Sequence, residues 1–280
     1  MLNEDYKAAA IEGLEKANSY YTTEFKRTID NMTRLFQSRQ RAVQTIQKIE
    51  LYVNILANKP REYESKIGEI KICYLDFNNR IDEIKRLDEK EQDLHRDRGM
   101  GAGVLLGTST AAFAPSAAMA IAMTFGTAST GTAIASLSGV AATNAALAWL
   151  GGGALAAGGA GMLGGQALLT MAGPVGWAIG GVSTVGGILL KAITNKDIAK
   201  KAEEATETII RETERIKEVN ITVCSWNRET IKLSNELNKK ITYIRRKRDY
   251  CQFTEDDKDE LSLLMNMTEV LAKKLGETIS

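Results

Sequence analysis

Between Arg98 and Lys191 the chain carries no Asp, Glu, Lys, Arg or His, whereas the sequence on either side is crowded with charge. Residues 99–190 also hold all but three of the 24 glycines, the exceptions being Gly13, Gly68 and Gly276. A surface that faces water needs charge, and a chain of 280 residues has too little other mass to bury so long an uncharged run unaided. The run therefore either enters lipid or is held back from it. This divides the chain into an N-terminal arm (1–98), an uncharged hydrophobic membrane module (99–190) and a C-terminal arm (191–280).

A membrane-spanning helix needs about 20 apolar residues. Turn signals at Gly126-Thr127, Gly151-Gly152-Gly153 and Gly173-Pro174 divide the module into candidate spans 102–125, 132–150, 154–172 and 175–193. Pro115 interrupts the first, and Ser, Thr and Asn dilute the second. Two or four crossings are expected, because an even number returns both arms to one side.

Small residues recur every four positions at Gly99, Gly103 and Gly107, at Gly153, Ala157, Gly161 and Gly165, and at Ala172, Gly176 and Gly180. In a helix such rows line one face, so two backbones approach closely and gain packing that lipid tails do not replace. These glycine zippers are the candidate insertion and helix-packing residues. In water each Gly costs a helix about 1 kcal/mol relative to Ala, so order here depends on packing or insertion. The plainer reading is a permanently inserted hairpin whose small residues let helices touch. Arg96, Arg98, Trp149, Trp177, Lys191 and Lys196 are the candidate interfacial anchors, basic and aromatic groups suited to the headgroup level.

The arms carry helical periodicity. In the first, Ile11, Leu14, Tyr21, Phe25, Met32, Leu35, Ala42, Ile46, Ile49, Val53 and Leu56 follow alternating steps of three and four, a coiled-coil seam. Polar residues break it at Asn18, Thr28 and Arg39, as register markers or as points where the seam rotates. The helix is expected from Glu4 to Ala57, about 80 Å long. Asn58-Lys59-Pro60 stops it, and a second helix, expected to fold back against the first or else to continue it with a kink, carries Tyr63, Ile67, Ile70, Tyr74, Phe77, Ile81, Ile84, Leu87 and Leu94 on its seam. After the module a third helix begins near Asp197 with Ile198, Ala202, Ala205, Ile209, Ile216, Val219, Val223, Trp226, Leu233, Leu237 and Ile244 in the same spacing, and is expected to run to about Tyr250. Thr254 caps a final helix carrying Leu261, Leu264, Met265, Met267, Leu271 and Leu275. The fold class is all-α: an elongated bundle of three or four long coiled-coil helices with an inserted Gly/Ala-rich head.

Several functions are set aside. The net charge of +1 argues against a general nucleic-acid partner. A single histidine, His95, supplies no catalytic or metal-binding constellation, and Cys73, Cys224 and Cys251 form no CxxC pair and suit a reducing compartment. Gly159-Ala160-Gly161-Met162-Leu163-Gly164 matches GxGxxG without the strand or the downstream acid that a nucleotide site needs. No enzyme, cofactor, metal or small-molecule substrate is expected. The charged start MLNEDYKAAAIEGLEK is not a secretory signal, so the protein is expected to be membrane-associated from the cytoplasm or exported by a non-classical route. The basic run from Lys239 to Arg248 reads either as a docking patch for anionic lipid or protein, or as a helix end complementing its dipole and the acidic run that follows; the second is favoured.

Long helices, an uncharged Gly/Ala-rich insertion between heptad arms, then long helices again: this layout resembles the α-helical pore-forming toxins of the cytolysin A and hemolysin BL group. The resemblance rests on order and proportion across the whole chain, not on a diagnostic motif. It implies a bundle that shelters residues 99–190 and converts to a membrane oligomer, with the lipid bilayer and further copies or related subunits as partners. The module is longer than the two-pass hairpin typical of that group. Ala148 to Met162 also looks like a Gly-rich segment of bacterial membrane-active proteins, which implies a bacterial origin. The expected function is thus a pore-forming toxin or cell-death effector. The rival readings are a constitutive integral membrane protein with a coiled-coil scaffold or tether, and an interaction protein that masks its middle by oligomerising.

Overall fold

The computed structural model describes residues 3–97 and 194–279, together with positions 122, 126–128, 130, 132–134, 137, 141, 145 and 146 of the uncharged stretch; for residue 80 and residues 83–97 it describes the backbone alone. The described residues form four α-helices: α1 (Glu4–Ile55), α2 (Arg61–Asp97), α3 (Asn195–Ile244) and α4 (Glu255–Lys274). A 3-10 turn, Tyr250–Gln252, links the last two. The fold is an elongated all-α bundle, as the heptads predict.

The helices stop and start where local chemistry directs. Leu56 leaves α1 in an extended conformation, and Asn58 turns the chain at φ 55, a left-handed value that asparagine tolerates better than most residues. Both Thr194 and Thr254 close capping boxes, with Asp197 and Asp257 respectively, so each pairs the free amides of its helix start. α3 ends at Ile244, short of the expected Tyr250. Backbone capture explains the difference: Ala57 accepts from the Tyr250 amide and donates to the Arg248 carbonyl, both at 2.9 Å. The Asp249 carboxylate then caps the 3-10 turn through the Cys251 amide. The two inter-helix turns are thereby tied side by side.

Contacts along the helices fix their directions. Tyr6 donates to Glu203, Asn31 to Asn220, Asn238 to Thr45 and Tyr52 to the Ile244 carbonyl, so α1 and α3 rise together as parallel neighbours. α4 runs back along α3, with Lys240 on Glu260 at 2.9 Å and Lys274 on Glu229 at 2.6 Å. α2 also returns, but it packs more extensively on α4 than on α1. The chain goes up, down, up, down. The end of α2 and the start of α3, between which the uncharged stretch lies, therefore point the same way.

Burial divides the body into two halves. At the end with the turns, all four helices enclose one apolar core that includes Ile46, Ile49, Phe77, Leu237, Leu261 and Leu264, each at most 1 % exposed. Toward the other end α1 and α3 share smaller clusters, around Ala10 with Ala199 and Ala202, and around Met32 with Val223. Polar side chains are buried between and beside these: Glu24, Thr28, Thr213 and Asn220. Ile11, Leu14, Tyr21 and Phe25, expected on the seam, are only half-buried.

Candidate functional site

Described residues of the uncharged stretch meet the helical body at a place built from α1, α3 and the residues that follow α4. Arg39, read in the sequence as a break in the α1 seam, is completely buried. Its Nη1 donates to the carbonyls of Leu275 at 3.1 Å and Glu277 at 3.0 Å, and its guanidinium lies over the Trp226 ring of α3, 5.5 Å from the centroid. The carbonyls at a helix C-terminus have no partners within the helix and carry the negative end of its dipole. Arg39 supplies both hydrogen bonds and opposite charge, and so fixes where the chain leaves α4. A cation placed on a hydrophobic seam is thus met at Nη1 by the backbone that crosses it.

Ile279 then turns inward against Ile29, Met32, Leu35 and Val223, with Phe25, Phe36, Val219 and Trp226 around them. Its backbone pairs with Gly126 in a parallel bridge, and its carbonyl accepts from the Thr127 hydroxyl at 3.1 Å. Gly126 and Thr127, read in the sequence as a turn, begin a small paired loop in which Ala128 donates to the Thr132 carbonyl at 2.7 Å and Ile134 to the Gly126 carbonyl at 3.0 Å. Thr127 and Ala133 face each other in an antiparallel bridge. Ala122, Ile134 and Ala146 are buried. Residues 275–279 accordingly lie between Arg39 on one side and Gly126 and Thr127 on the other.

Besides the buried Arg39, further charges border this seat. Lys274 bridges Glu229 at 2.6 Å and Glu277 at 3.5 Å; the Glu229 bond raises the lysine above its ordinary range and holds the Glu229 carboxyl below its own. The second Glu277 oxygen, Oε2, is buried without a hydrogen-bond partner among the described residues, as is Asn227 Oδ1 nearby in sequence to Trp226. Buried unpaired polar atoms weaken a packed site.

Of the residues singled out from sequence, Gly99, Gly103, Gly107, Gly153, Ala157, Gly161, Gly165, Gly176 and Gly180 lie outside the described residues, as do Arg98, Trp149, Trp177 and Lys191. Arg96 belongs to α2 with its side chain outside the description, and Lys196 is exposed in the first turn of α3. Two of the six bases of the run from Lys239 to Arg248 are paired with acids, Lys240 with Glu260 and Lys247 with Asp257. No helix among the described residues is long and apolar enough to cross a membrane, and no His, Cys, Asp and Glu cluster among them is arranged to hold a metal. Sequence reasoning missed the Gly126–Ile279 pairing, since nothing in the periodicity of either segment announces a backbone contact across the chain. No protein-family model matches the chain, and neither a curated protein nor a solved structure is similar to it.

Proposed function

We propose that this chain is a membrane-inserting, pore-forming protein that converts from a helical bundle with its uncharged stretch sheltered to an oligomer with that stretch in the bilayer. The observation that carries this reading is the seat of Gly126 and Thr127 on Ile279, which places a part of the uncharged stretch against a buried apolar cluster of the body. Two further features support it. α2 and α3 deliver both ends of the stretch in one direction, as an even number of crossings requires. The half of the body shared by α1 and α3 buries polar groups and leaves seam residues partly open, so repacking there costs less than in the four-helix half.

The energetics follow from transfer and packing. Each square ångström of apolar surface moved from partial hydration into lipid contributes about 25 cal/mol. Glycine rows such as Gly153, Ala157, Gly161 and Gly165 then supply contacts between helices or subunits. Leucine in place of Gly161 or Gly165 would hold those backbones apart. Gly161→Leu and Gly165→Leu are expected to abolish dye release from liposomes while the circular dichroism of the arms stays unchanged. Dye release at the parental rate from both variants would count against zipper-driven assembly.

A further inference from the structure

We propose that residues 275–279 are a latch: Arg39 anchors the segment, and Ile279 holds the Gly126–Thr127 loop of the uncharged stretch on the helical body. The proposal deepens the pore-forming reading by naming what must part before the stretch leaves. It stands on four contacts of different kinds. Arg39 binds the carbonyls of Leu275 and Glu277, so the segment's base is fixed to α1. Ile279 is 7 % exposed and fills a gap between α1 and α3. Gly126 pairs with the Ile279 backbone, and the Thr127 hydroxyl donates to the Ile279 carbonyl.

The latch is firm at its base and lightly held at its tip. Arg39 is buried and makes charge-assisted hydrogen bonds, which are about twice as strong as neutral ones. The tip has one isoleucine side chain, a single bridge and a hydroxyl bond. Between them Glu277 keeps one carboxylate oxygen buried and unpaired, a local cost that opening toward water removes. Release therefore begins at Ile279 and leaves Leu275 in place.

The test reads the contact apart from permeabilisation. In Ile279→Asp, amide exchange at Gly126, Thr127 and Ile134 should rise by about tenfold with the α-helical circular dichroism retained. Ile279→Ala and Thr127→Val, which are milder, should give smaller rises in the same amides. Unchanged exchange in the helix-retaining variants overturns the latch. A second arm joins the partners covalently, with Gly126→Cys and Ile279→Cys in a chain whose three native cysteines are replaced by Ser. The oxidised form should release no dye from liposomes and the reduced form should release it. Equal release by both forms also overturns the latch, because the stretch would then insert without parting from Ile279. If exchange responds as expected and no form releases dye, the pore-forming reading fails and the seat of the stretch on Ile279 stands.

Discussion

Arg39 shows how a charged residue serves inside an apolar seam: it turns a helix end and the chain beyond it into its own counter-dipole. Arg39→Met keeps the volume of the stem but strands the carbonyls of Leu275 and Glu277. Hydrogen bonds to charged groups contribute about 1.5–3 kcal/mol each, so urea denaturation should show a loss of about 3 kcal/mol, with Arg39→Lys intermediate. Asp257 works at the other turn. Its carboxylate accepts from Lys247 first and then from Thr254, and these bonds draw its pKa from 3.8 down to about 2. A carboxyl whose pKa falls on folding adds stability that is fully present above its ordinary value and is lost as pH drops through the folded value. The wild-type urea midpoint should therefore decline between pH 3.8 and about 2 by more than that of Asp257→Asn, which lacks the titrating group. Parallel declines in the two proteins would remove Asp257 from the account.

Between elements, the decisive difference is between the four-helix half and the α1–α3 half. Phe77 and Leu237 lie in the common core at 1 % and 0 % exposure, and truncating either to Ala should cost about 3–4 kcal/mol. Leu14 is half-buried in the two-helix half, and Leu14→Ala should cost under about 1 kcal/mol. Equal losses in chemical denaturation would mean that the two halves are one cooperative unit of uniform strength. Much of this was legible in the sequence. Steps of three and four marked the seams from Met32 to Leu56 and from Tyr63 to Phe77, and Asn58-Lys59-Pro60 and Thr254 marked the helix boundaries. Pairing was not legible, because a heptad seam states that a face is buried and not against which helix. The Asn31–Asn220 hydrogen bond at 2.7 Å, a polar contact suited to setting the parallel register, lies off the positions that the seam picked out. The early end of α3 likewise depends on Ala57, in the turn between α1 and α2, where Asn58 also donates to the carboxylate of Asp249, 191 residues further along the chain.

Across the whole molecule, the up-down-up-down path sets two cross-bonded turns at one end and both approaches to the uncharged stretch toward the other. The importance of residues 99–190 was legible at once from the absence of charge. The seat of Gly126 and Thr127 was not, since it depends on Ile279, a residue that sequence reasoning left out of every seam, and on an arginine that it read as an interruption. Conversion from this arrangement requires a form that lives in water before it lives in lipid. The direct measurement is to express the chain, fractionate without detergent and add the supernatant to dye-loaded liposomes. The account predicts protein in the supernatant, dye release on mixing and resistance of the liposome-bound protein to alkaline extraction afterwards. Protein confined from the start to the membrane pellet and resistant to alkali would contradict it, and would make the arms the scaffold of a permanently anchored protein.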